Sequence, residues 1–104
     1  MKEFKKVFIS VPMRGRDPEA IQNDIDRVKA KIQAGEPDIE FEFIDNFIDP
    51  PTGDSPVLYC LGEAIKKLGD CDIIFMCKGW WDANGCLSER FVAERYDIEV
   101  WEEM

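Results

Sequence analysis

The run Asp72-Ile73-Ile74-Phe75-Met76-Cys77 passes through Gly79 into a polar loop, and at Gly85 that loop opens into an amphipathic stretch reaching Tyr96. A buried strand that breaks at a glycine and leads at once into a helix leaves few architectures open. The next strand can return only by a helix-length crossover, so it pairs in parallel and with right-handed connection. The preceding residues repeat the pattern. Lys5 to Ser10 carries Val7, Phe8 and Ile9, an apolar run suited to a central strand covered on both faces. Asp17-Pro18 offers a helix cap followed by proline at the first helical position. Ile21, Ile25, Val28 and Ile32 then recur on one helical face, and Gly35 is placed to end it. Ile39 to Ile44 alternates apolar residues with Glu40 and Glu42, which predicts a strand with one wet face near a sheet edge. Ser55-Pro56 repeats the cap signal, Leu58, Leu61, Ile65 and Leu68 predict a second helical stripe, and Gly69 ends it. A short strand over Ile98-Glu99-Val100-Trp101 completes the chain.

The order β-α-β-α-β-α-β predicts the α/β class. The expected form is a three-layer, flavodoxin- or Rossmann-like open sheet of four mainly parallel strands, with helices on both faces. At 104 residues the chain has room for one core, so residues 1–104 are expected to form a single domain. The loops after the strands (Ser10 to Arg16, Asp45 to Asp54, Gly79 to Gly85) should gather at one edge, where such sheets bind ligands. Glu89 falls within about the first turn of the last helix, so its carboxylate is expected to look back toward that edge.

A net charge of −9 disfavours a nucleic-acid polymer as partner, because no general basic field exists to displace counterions. The positive charge is uneven: Lys2, Lys5, Lys6, Arg14 and Arg16 crowd the beginning, leaving room for a small anionic ligand near Arg14. The chain has no histidine, so acid–base chemistry near neutral pH falls to carboxylates, a cysteine or a tyrosine. Its four cysteines form no CxxC pair, and we expect reduced thiols, neither a metal site nor disulfides. Neither GxGxxG nor a Walker sequence occurs, so no dinucleotide or nucleoside-triphosphate cofactor is expected. No apolar run approaches membrane-spanning length, and Met-Lys-Glu-Phe-Lys-Lys lacks a signal-peptide core. The expected location is cytoplasmic, without a membrane partner.

Two of the loops carry a resemblance. The segment Lys6-Val7-Phe8-Ile9-Ser10-Val11-Pro12-Met13-Arg14-Gly15, and that from Gly79-Trp80 through Gly85-Cys86 to Glu89 and Ala93, resemble the two signature segments of the nucleoside 2-deoxyribosyltransferase superfamily. The likeness is greatest to a small branch of it, which Leu58-Tyr59-Cys60-Leu61-Gly62 also resembles. The superfamily includes 2′-deoxynucleoside 5′-monophosphate N-glycosidases. The resemblance implies that Glu89, four residues after Gly85, is a nucleophile that attacks C1′ of a deoxyribose and releases the base. It implies a nucleoside or nucleotide ligand, contacts from Ser10, Pro12, Met13, Arg14 and Gly15 in the first loop, and a homodimer or higher homo-oligomer. Asp82 or Asp45 is the best-placed acid to assist the departing base. Backbone N–H groups starting at Gly85 and Cys86 would suit a 5′-phosphate, and Asn84 is a further candidate contact. Tyr59 is a further candidate pocket residue. The chain departs from the family pattern at Val11, where members carry glycine or a polar residue, and at Ala83, where they carry serine or aspartate. Those departures motivate a second reading, a nucleotide-binding or sensing module without turnover.

Taken singly, these residues have plainer readings. An acid in the first turn of a helix is by default a solvated carboxylate favoured by the helix dipole. Trp80 could stack on a nucleobase, whereas Trp81 is expected to plug the core or a subunit interface. Cys86 sits where a helix N-terminus tends to lower a thiol pKa, but without a histidine base it reads as a small packing residue.

Overall fold

The computed structural model describes residues 3–45 and 56–103. Their elements run β1 (Glu3–Ser10), α1 (Pro18–Gly35), β2 (Ile39–Asp45), α2 (Pro56–Leu68), β3 (Ile73–Met76), a 3-10 turn (Trp80–Asp82), α3 (Asn84–Arg95) and β4 (Glu99–Glu102). The four strands form one sheet in the order β2-β1-β3-β4, and every neighbouring pair is parallel. The fold is therefore the open, parallel α/β sheet expected from the sequence, with β2 and β4 at its edges.

Alternation along the central strands divides the core in two. Val7, Ile9, Ile73 and Phe75 face α1 and pack with its stripe Ile21, Ile25, Val28 and Ile32. Phe8, Ile74 and Met76 face the other way, toward Ala64 and Leu68 of α2 and Cys86 and Ala93 of α3. α1 thus covers one face, and α2 with α3 covers the other. Asp17 caps α1 as predicted, its carboxylate accepting from the Glu19 N–H. Glu40 and Glu42 are exposed on edge strand β2, as their alternation implied.

Two expectations are corrected. Leu58 is 66% exposed, and the inward stripe of α2 is Ala64 and Leu68, with Leu61 and Ile65 half-buried beside it. At roughly 100° of helical rotation per residue, Leu58 lies about 120° from Ala64. The small alanine, not the larger leucine, faces the sheet. The last helix also begins one residue earlier than the glycine expected to open it, at Asn84. The cap signal at Ser55 and the loop from 46 to 54 lie outside the described residues. Among the described residues no helix is long and apolar enough to cross a membrane.

Candidate active site at the carboxyl edge of the sheet

The strand order places the reversal of winding between β1 and β3, since α1 leaves β1 on one face and α3 leaves β3 on the other. This is the position at which parallel sheets open a crevice beyond their strand ends. The last residue of β1 is Ser10, and alternation turns its side chain to the α3 face together with Phe8. On α3 the buried positions are Cys86, Glu89 and Ala93, one stripe at i, i+3 and i+7. Glu89 thus occupies a core-facing position that normally takes an apolar residue.

The two polar side chains meet there. Ser10 Oγ donates to Glu89 Oε1 at 2.7 Å, with Ser10 wholly buried and Glu89 2% exposed. They are the two buried polar residues in the described chain, and a carboxylate withdrawn from water needs such donors to offset its desolvation. The Cys86 thiol lies beside both. Burial pushes it up to about 11, the Ser10 hydroxyl partly opposes that, and the charge of Glu89 adds to it. Cys86 is therefore a protonated packing residue, not a nucleophile activated by the helix end. Ser10 holds the acid instead of presenting its hydroxyl to solvent.

The remaining candidates are dispersed around this pair. Pro12 is half-buried, and Met13 packs into the core on the α1 side. Arg14 and Gly15 form an exposed turn, with Gly15 in the left-handed region at φ 72°. Asn84 and Gly85 are exposed at the start of α3, and Ala83 leaves that helix without a side-chain cap. Asp82 is exposed on the 3-10 turn. Asp45 ends β2 level with Ile9, but its side chain lies outside the described set. Tyr59 is 45% exposed near the start of α2.

Of the two adjacent tryptophans, Trp80 and not Trp81 plugs the core. Trp80 packs on the α2–α3 core, while Trp81 is 53% exposed and meets it edge-on. One face of Trp80 carries the Arg90 guanidinium, 4.3 Å from the ring centroid, so that face is already covered.

A charged cleft escaped the sequence reading. About 490 Å³ in volume, it is lined by Pro12, Arg16, Asp24, Arg27, Lys78, Gly79 and Glu103. It lies at the same carboxyl edge but on the α1 side, so Glu89 is not part of it. Asp24 and Arg27 are three apart on the polar flank of α1, a pairing visible in the sequence. Glu103 joins them from 76 positions away, which no local pattern reveals. Among the described residues no cluster of acids and cysteines is placed to hold a metal ion, and all four cysteines are free thiols.

Set against known protein families, curated proteins and solved structures, the chain finds no match in any of the three.

Proposed function

We propose that the chain cleaves the N-glycosidic bond of a deoxyribonucleoside or its 5′-monophosphate, with Glu89 as the nucleophile. The observation that supports this best is the Glu89 carboxylate held by Ser10 at the switch point of the sheet. A solvated surface acid would need no such holder. The resemblance of the Lys6–Gly15 and Gly79–Ala93 segments supplies the reaction class. In that chemistry a carboxylate oxygen bonds to C1′ as the C1′–N bond breaks, and the base departs with the electron pair and takes a proton. Water then attacks C1′, regenerating the carboxylate; a second base in its place makes the reaction a transfer. Asp82 is reachable from solvent and Asp45 stands at the neighbouring strand end, so either is a candidate to protonate the leaving base.

A second reading has its own support. Glu89 is 2% exposed and lines neither described cleft, as suits a structural acid in a binding module without turnover. Chromatographic detection of free base from a panel of deoxynucleosides and their monophosphates separates the two. Base released by wild type and lost in Glu89→Gln is the expected result. No release, with a monophosphate raising the melting temperature, selects the binding module; saturation at ~100 times Kd adds about 2.7 kcal/mol. Self-association belongs to the same proposal. Leu87 and Phe91, one turn apart on α3, are exposed together with Leu58, Tyr59 and Trp81, and sedimentation velocity reads the assembly directly.

A further inference from the structure

We infer that the cleft on the α1 side is a second ligand site, one that takes a small metabolite through an oxyanion group. The inference does not depend on the role given to Glu89, which lies across the sheet. The chain is strongly acidic, at −9, yet this cleft gathers three cations, Arg16, Arg27 and Lys78, against two carboxylates, Asp24 and Glu103. The carboxylates do not simply cancel the cations; they fix where the cations stand. Arg16 gives one N–H of Nη1 to the Pro12 carbonyl at 2.8 Å and pairs through Nη2 with Asp24. Arg27 bridges Asp24 through Nη1 at 2.5 Å and Glu103 through Nε at 3.2 Å and Nη2 at 2.9 Å. Glu103 also accepts the backbone N–H of Lys78 at 2.9 Å.

Each guanidinium has five N–H donors in a rigid fork. Two of those of Arg16 are engaged by the described residues, and the rest remain for a ligand. The Lys78 ammonium has no partner among the described residues. A planar fork held by carboxylates, with an exposed ammonium beside it, is suited to an oxyanion, and the fixed fork loses little freedom on binding. The volume is that of a metabolite site, not of a bare ion. The loops after β1 and β3 meet in ordinary van der Waals contact at the cleft wall, and the positive φ of Gly79 is what calls for glycine there. Gly79 sits at φ 90°, and a Cβ there would stand 3.6 Å from Pro12 Cγ.

The probes are inorganic phosphate and succinate, titrated into the 104-residue chain at fixed ionic strength with chloride as control. Binding is followed by backbone and arginine-side-chain nitrogen–proton spectra. The expected result is saturable shifts confined to Met13, Arg16, Lys78, Gly79 and Glu103. The anion with the lower Kd identifies the group, phosphate or carboxylate. Lys78→Ala, an exposed change that leaves the ion-pair network in place, should raise Kd at least about threefold. Arg16→Lys, which keeps the charge and removes the fork, should raise it about tenfold, and Glu89→Gln should leave it unchanged. Shifts that chloride reproduces, that spread over lysines elsewhere, or that Lys78→Ala leaves unchanged overturn the inference. So does binding abolished by Glu89→Gln in a folded protein, because the two sites would then be one.

Discussion

Ser10 and Glu89 lie 79 positions apart in the chain, yet their side chains meet at 2.7 Å with both residues buried. Ser10 reaches the α3 face because it is an even number of residues beyond Phe8 on β1, and Glu89 reaches it because it shares a helical stripe with Cys86 and Ala93. The contact therefore couples the end of a central strand to the first turns of α3 across the switch point. It also sets up a test that separates a structural acid from a reacting one.

Glu89→Gln keeps an oxygen able to accept from Ser10, so stability should change by less than about 1 kcal/mol, while base release should vanish. Ser10→Ala leaves the carboxylate buried without that donor, which costs about 1–3 kcal/mol. Urea unfolding of both variants, measured beside the base-release assay, gives the comparison. Equal destabilisation of the two, with no activity in wild type, would make the pair a core element only.

The core divides the apolar residues sharply. Phe8 is fully buried on the central strand, and truncation to alanine should cost about 3–5 kcal/mol. Leu58, which the helical pattern placed in the same core, is largely exposed; Leu58→Ala should stay within about 0.5 kcal/mol in the monomer. If Leu58→Ala instead lowers stability in a concentration-dependent way, the residue is covered by a second copy of the chain.

The thiols should resist chemistry at neutral pH. Burial is the main cause that pushes Cys71 and Cys86 up to about 11 and Cys77 to about 12. Cys60 is only half-buried. Alkylation of the native chain at pH 8 should mark Cys60 first, with the other three reacting only after denaturation, as read by peptide mass. The same shifts imply a sign for alkaline stability. Between the ordinary thiol pKa, 9.0, and the raised folded values, the unfolded chain has lost protons that the folded chain keeps. Stability is therefore intact below about pH 9 and falls above it, by up to about 1.4 kcal/mol per pH unit for each thiol.

Much of this was legible in the residues because independent signals agreed. At α1 the Asp17 cap, the proline after it and a stripe of three isoleucines and a valine all pointed to one helix, and its bounds match. The parallel pairing of the strands followed from helix-length connections, whereas their order across the sheet, β2-β1-β3-β4, is set by which faces the helices cover and has no local signal. The stripe of α2 was misread because Ala64 carries almost no hydrophobic signal, although it is buried in the core that α2 shares with α3 and the sheet. Trp80 took the core place considered for Trp81 because two adjacent aromatics on a tight turn point in different directions, and composition cannot say which goes inward. The Arg16–Asp24–Arg27–Glu103 network was missed for another reason: only its Asp24–Arg27 link is local, and the link that closes it depends on β4 ending beside α1.

That network makes the last prediction. Burial alone would raise Asp24, but hydrogen bonds and charge from Arg16 and Arg27 outweigh it and hold the carboxyl below its ordinary value. Burial likewise opposes the lowering of Glu103, and the Arg27 hydrogen bond, the Lys78 N–H and the Arg27 and Lys31 charges overcome it. Both groups have depressed folded pKa values. Their contribution is fully present above the ordinary carboxylate range, about pH 4, and is lost as pH falls through the lowered values. Glu103→Gln keeps the shape but removes the charge that Arg27 and Lys31 share, and should cost about 1–3 kcal/mol at pH 7. The cost should shrink as pH drops below 4, since wild type then loses the same charge. Melting curves of the two proteins from pH 7 to pH 3 should converge; a gap that stays constant would mean that Glu103 acts by packing and not through its ion pairs.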